Sequence, residues 1–142
     1  MTEIKLLNGT DNLSAAFTIR QRVFIDEQKV PPELEWDDMD KVAIHFILYL
    51  DKNPVGTARV FEKQRVWYIG RMAILQKHRG KGYGKLMMEN VLNFLFSKKP
   101  NIIVLYAQIT VLGFYRKFGF VEIGDEFLDA GIKHKEMRYT HF

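Results

Sequence analysis

Cysteine is missing from all 142 residues. That excludes a disulfide framework, thiolate ligation of a metal and covalent catalysis through a thiol. Proline is scarce, four in all with two adjacent at Pro31-Pro32, and no Pro/Ser-rich or repetitive stretch divides the chain. A single domain over residues 1–142 is expected, and a hydrophobic content of 47% suffices to bury a core. No apolar run approaches the ~20 residues needed to span a bilayer. Met1-Thr2-Glu3-Ile4-Lys5 has no secretory pattern, so the expectations are no membrane partner and a cytoplasmic location. The four histidines, at 45, 78, 134 and 141, have no i,i+4 pairing, and no metal site is expected. The net charge of +4 comes from positive residues crowded near positions 77–85 and at Lys98-Lys99, not from an aromatic-interleaved stripe, so nucleic acid is not the expected partner.

What is present is a glycine-rich turn. Arg79-Gly80-Lys81-Gly82-Tyr83-Gly84 lies between an apolar run, Tyr68 to Leu75, and a helically periodic stretch, Lys85 to Ser97. Strand, anion-cradling turn and helix is the natural reading: glycines let the backbone approach an anion, and the positive end of the helix dipole points at the same place. The nucleotide P-loop needs a Gly-Lys-Ser/Thr ending, and no Ser or Thr lies near this turn. The dinucleotide fingerprint needs Gly-x-Gly-x-x-Gly and an acidic residue about 20 residues on. Here the spacing is Gly-x-Gly-x-Gly, and no acid closes the next strand, Ile102 to Tyr106.

The remaining pattern, Arg79-x-x-Gly82-x-Gly84 after Met72-Ala73-Ile74, resembles the pyrophosphate loop of the GNAT superfamily of acetyl-CoA-dependent N-acyltransferases. Downstream, Tyr115-Arg116-Lys117-Phe118-Gly119-Phe120 resembles the Tyr-x-x-x-Gly-Phe of the same superfamily. Arg22 to Gln28, Glu35-Trp36-Asp37 with Asp40, His45, Ile69-Gly70-Arg71, and Gly131 to His134 with Met137 resemble its ElaA-like (YjcF-like) branch. The resemblance implies an α+β GNAT fold: a mixed, mostly antiparallel sheet of six to seven strands, splayed between strands 4 and 5 and flanked by about four helices. It implies acetyl-CoA as co-substrate, bound by Met72, Ala73, Ile74, Arg79, Gly80, Lys81, Gly82, Tyr83, Gly84, Gln108 and Tyr115. Two departures stand out. Gln108 occupies the place where many relatives have an Asn on the pantetheine arm, and Tyr68 the place where some carry a Glu base.

Residue patterns place the elements. Ile4 to Leu7 reads as a strand, and Leu13, Ala16, Phe17, Arg20 and Phe24 share a helical face that ends near Asp26. Residues 29–41, with Pro31-Pro32 and five acids, read as an ordered loop or a broken second helix. Val42 to Leu50, Val55 to Glu62 and Val66 to Leu75 form a meander, and Met88, Val91, Leu92, Leu95 and Phe96 make the buried face of a helix. A short helix to Phe118 and strands at Val121 to Phe127 and Lys133 to Tyr139 complete the set, with His134 expected in the turn where the last strand begins.

Amide formation needs an amine stripped of its proton, a stabilised carbonyl oxygen and a discharged thiolate. The resemblance gives the oxygen to the Met72 N–H and the thiolate to the Tyr115 hydroxyl. The base stays open among His45, Glu27, His134 and a water chain. The acceptor is expected to be a primary amine of a small molecule or peptide, and the protein a monomer or homodimer. Two other classes remain beside the N-acetyltransferase: a non-catalytic acyl-CoA-binding or regulatory module of the same fold, and, remotely, a nucleic-acid-binding protein.

Overall fold

The computed structural model describes residues 1–142. Its elements are β1 (Thr2–Asn8), α1 (Ser14–Arg20), α2 (Pro32–Glu35), β2 (Ile44–Leu50), β3 (Asn53–Lys63), β4 (Val66–Ile74), α3 (Tyr83–Ser97), β5 (Ile103–Gln108), α4 (Leu112–Arg116), β6 (Val121–Asp129) and β7 (Ile132–Tyr139). Helix α1 runs on without a break into a π-helical segment, Gln21–Glu27, so the two together fill the helix expected from the periodicity. The region 29–41 is a broken helix: α2, then a 3-10 turn at Asp38–Lys41.

The strands form one seven-stranded sheet in the order β1-β2-β3-β4-β5-β7-β6. Every neighbouring pair is antiparallel except β4 and β5. Two hairpins of the meander turn on residue pairs with positive φ, Asp51-Lys52 and Gln64-Arg65. That is the handedness that matches strand twist. Strand β6 closes one edge, and its pairing with β7 lapses between Ile123 and Phe127.

Side chains alternate across the sheet, and its two faces are covered differently. On one, Phe46, Leu48, Ala58, Val60 and Ile69 meet Met87, Met88, Val91 and Leu95 of α3. Full burial of such side chains contributes about 1.5–3 kcal/mol each. On the other, Ile19 and Val23 of the first helix pack on Ala73 of β4 and on Leu75 just past its end. This second face is covered only over β2 to β4, and beyond them Tyr106 of β5 is 50% exposed.

Candidate active site

Strand β4 carries the geometry that matters. It pairs with β5 only from Trp67↔Ile103 to Ile69↔Leu105, while β5 continues to Gln108 against β7. The two strands therefore part after Ile69. On its other side β4 faces β3 with Arg59↔Gly70 and Thr57↔Ala73, so Arg71 and Met72 together oppose Ala58, a β-bulge. Arg71 sits at φ +52°, left-handed backbone that an L side chain rarely adopts. The Leu75 N–H donates to Val55 O of β3. Alternation then turns the N–H groups of Ile74 and Met72 away from β3, into the gap beside β5.

At the end of β4 the glycine turn opens. Gly80 (φ +74°) and Gly82 (φ +85°) hold the left-handed conformation the turn requires, and a Cβ at either would meet nothing within 4 Å. Gly82 is the N-cap of α3, and no side chain caps that first turn, so its backbone donors face an open cradle. A Cβ at Gly84 would meet the Phe114 ring at 3.4 Å. That contact brings α4 against the start of α3, and the Tyr115 ring lies 5.0 Å from Phe114 and 6.4 Å from Phe120. The Tyr115 residue is half-buried, and burial pushes its phenol up to about 12. The open cradle, the uncapped helix end and the parted strands fit the diphosphate and extended arm of coenzyme A.

Two of the expected contacts are otherwise engaged. Arg79 does not extend its side chain into the cradle: its Nε donates to Ile74 O at 2.8 Å and its fork grips Glu27 at 2.6 and 2.8 Å. Those hydrogen bonds hold the Glu27 carboxyl below its ordinary range. Gln108 exchanges amide hydrogen bonds with Gln28, at 2.9 and 3.4 Å, bridging the end of the π-helical segment to β5. Lys81 is exposed, and Tyr83 is half-buried against the core.

The three candidate bases lie apart. His45 is sealed under the first helix, its Nε2–H donating to Asp40 O at 2.9 Å, and burial pushes its pKa down. Glu27 is bound to Arg79. His134 lies within β7, not in a turn: the Gly131 turn is tighter than the sequence suggested and the strand starts at Ile132. Its Nδ1 faces Ile132 O at 2.7 Å, which leaves Nε2 as the unprotonated nitrogen of the neutral ring.

Two groupings escaped the sequence. The first is an ionic clamp. Arg20, 1% exposed, donates to Glu35 Oε2 and Asp40 Oδ1, each at 2.7 Å, and to Glu35 O at 3.1 Å. Arg59 donates to Asp37 at 2.6 and 2.8 Å and to Asp40 at 2.9 Å. Arg71, in the bulge, donates to Glu35 O at 3.0 Å and Asp37 Oδ2 at 3.3 Å. Its Nε lies 3.0 Å from Glu35 Oε2 but is misaligned for a hydrogen bond. Burial accordingly raises the Glu35 carboxyl and lowers the Arg71 guanidinium from their ordinary values. Burial is the largest single influence on Asp37 and opposes its ionisation, but the hydrogen bonds and charge of Arg59, together with the charges of Arg71 and Arg20, outweigh it and hold that carboxyl low. The available signal was an arginine inside each of three apolar segments, which demands a buried partner.

The second grouping is a strip of rings on the same face. Phe61 stacks on Tyr68 at 5.3 Å, Tyr68 meets Tyr106 at 6.4 Å, Tyr106 meets Phe127 at 5.7 Å, and Phe127 stacks on His134 at 5.9 Å. The strip crosses β3, β4, β5, β6 and β7, so no local spacing announces it.

This geometry has relatives. The family model described as "Acetyltransferase (GNAT) domain" matches residues 14–141. The chain is 34% identical over 133 residues to the uncharacterized N-acetyltransferase YjcF of Bacillus subtilis, covering 93% of this chain and 95% of that one. Among solved structures, an acyl-CoA N-acyltransferase from Pseudomonas aeruginosa superposes with a TM-score of 0.89 at 26% identity, over 98% of this chain and 99% of that one. Escherichia coli ElaA superposes with a TM-score of 0.88 at 25% identity and the same coverage. With the family model matching nearly the whole chain and these relatives sharing its length and fold, the chain belongs to the GNAT acetyltransferases, in their YjcF- and ElaA-like branch.

Proposed function

We propose that the protein is an N-acetyltransferase that moves the acetyl group of acetyl-CoA to a primary amine by direct attack in a ternary complex. The observation that carries this is the coincidence of the β4 bulge with the point where β4 leaves β5. Acetyl-CoA supplies a thioester whose C–S bond breaks as the amine nitrogen bonds to the carbonyl carbon. The turn at residues 80–84 and the start of α3 hold the diphosphate. Ile74 N–H pairs with the extended arm, and Met72 N–H donates to the carbonyl oxygen as charge grows on it. Tyr115, whose phenol keeps its proton across the neutral and mildly alkaline range, gives that proton to the departing sulfur. Arg79 acts as a brace, fixing the Ile74 carbonyl and Glu27.

The proton lost by the amine goes to water or to His134. Of the three candidates, only His134 joins the open ring strip while presenting a free Nε2.

Calorimetric titration with acetyl-CoA and with desulfo-coenzyme A, followed by thiol-release assays over a panel of amines, tests the reading. Both ligands are expected to bind, and some amines to release thiol. In Tyr115→Phe, affinity is expected to persist while turnover falls about 100-fold or more. Binding with no release from any amine would favour the acyl-CoA-binding module, and no binding would overturn the assignment of the glycine turn.

A further inference from the structure

We propose that the ring strip is the acceptor site, and that the acceptor is a primary amine on a short alkyl link to a flat apolar group, not a polycation. This rests on the transferase reading and names its substrate class. The strip begins at the bulge. Arg59↔Gly70 and Phe61↔Tyr68 are near-adjacent rungs of β3 and β4, and Gly70 has no side chain to fill the space beside them. A Cβ there would meet nothing nearer than Arg59 Nε at 4.0 Å. An amine poised over Gly70 therefore has the Tyr68 face next along the strand, then Tyr106 and Phe127, which are 50% and 37% exposed. Contiguous aromatic surface left bare beside a reaction centre marks a place where something flat is buried.

Charge points the same way. A polyamine or amino sugar needs free carboxylates near the reacting nitrogen to receive its other ammonium groups. Glu35, Asp37 and Asp40 are consumed by Arg20, Arg59 and Arg71, and Glu27 by Arg79. Glu136, in register with Tyr106, is taken by Arg138. Asp125 and Glu126, acids of β6 without an ion pair, lie at the far edge of the sheet from Gly70. Near the bulge a single ammonium finds ring faces, which stabilise one cation attached to an apolar body.

The test uses the full chain as wild type, Tyr68→Ala and Tyr106→Ala. Thiol release from acetyl-CoA is measured with 2-phenylethylamine, phenylalaninamide, spermidine and glucosamine, acetyl-CoA affinity by calorimetry, and mass by sedimentation. The arylalkyl amines are expected to show the highest kcat/KM, with phenylalaninamide against 2-phenylethylamine separating a peptide-like from a free-amine source. Each Tyr→Ala change should raise the KM for the arylalkyl amine by about threefold to tenfold while acetyl-CoA affinity holds. Preference for spermidine or glucosamine overturns the proposal and leaves the transferase standing. An unchanged KM with a lowered mass in Tyr106→Ala assigns the strip to a second copy of the chain and equally overturns it. If wild type fails to bind acetyl-CoA, the transferase reading itself falls. Saturation-transfer NMR of 2-phenylethylamine then decides the strip alone: a signal lost in Tyr106→Ala supports it, and no signal with wild type sinks it.

Discussion

One face of the sheet carries two regions built on opposite terms. Over β2 to β4, Arg20, Arg59, Glu35 and Asp40 are buried and, together with half-buried Arg71 and the more exposed Asp37, satisfy one another under the first helix. Over β4 to β7, rings that could have been buried are left in reach of solvent. The boundary is the bulge in β4, where Arg71 belongs to the ionic side and Gly70 to the open one. A structure that uses charge to hold a loop and leaves aromatic surface unoccupied has separated what fixes the backbone from what meets a ligand. Buried ion pairs contribute little net stability but penalise the loss of one partner heavily. Such a cluster therefore fixes position more than it adds stability.

The comparison can be broken from either side. The largest effect is expected from Arg20→Ala, which leaves Glu35 and Asp40 buried without their main donor. Urea denaturation should show a loss of about 3–5 kcal/mol. A loss below 1 kcal/mol would mean that the cluster is hydrated and not sealed. Arg71→Gly comes next, because glycine accepts the left-handed φ but abandons the clamp. A net destabilisation of about 1–2 kcal/mol is expected, since the hydrogen bonds of a charged group outweigh the strain relieved. In the thiol-release assay, kcat should fall more than acetyl-CoA affinity, as the bulge loses its anchor. Unchanged kcat would show that the bulge holds its shape without Arg71.

Smaller again is a pH effect. His45 has its pKa lowered by burial, so the unfolded chain takes up a proton that the folded chain refuses. The stability this contributes is present above the ordinary imidazole pKa of about 6.5 and is lost as pH falls, by at most about 1.4 kcal/mol per unit. Melting temperature measured between pH 7 and pH 5 should drop for wild type and drop less for His45→Gln. Parallel slopes would remove His45 as the cause. The smallest effect sharpens the contrast: Tyr106→Ser, in the open region, should move stability by no more than about 1 kcal/mol, in thermal or urea unfolding. A loss as large as that of Arg20→Ala would make the ring strip core and not surface.

How far the sequence reached follows the same boundary. The glycine turn, helix α3 and the meander are local patterns legible from spacing, and the Tyr115 motif was legible from its resemblance to the superfamily's. The first hairpin turn reads from the sequence as Asp51-Lys52-Asn53-Pro54 and is tighter, Asp51-Lys52; neither it nor Gln64-Arg65 is the Asn-Gly pair that normally announces positive φ. The bulge was invisible, since Val66 to Leu75 reads as one regular strand until its register against β3 is known. The acids at 35–40 stand in a stretch legible only as an ordered loop or a broken helix. Their partners, Arg20, Arg59 and Arg71, lie on three different elements. Arg79 was expected in the cradle, and its side chain turns to Glu27, a residue distant in sequence that no local pattern could supply.

The lapse in β6 has a consequence for the molecule in a crowded solution. An edge strand bearing Val121, Ile123, Phe127 and Leu128 on exposed positions offers a template for sheet extension from one molecule to the next. Between Ile123 and Phe127 that template is interrupted by Gly124 at positive φ and by the adjacent acids Asp125 and Glu126. A strand arriving from another molecule finds only short, misaligned stretches to zip against, so the kink guards the fold against open-ended polymerisation while the apolar residues on either side of it remain.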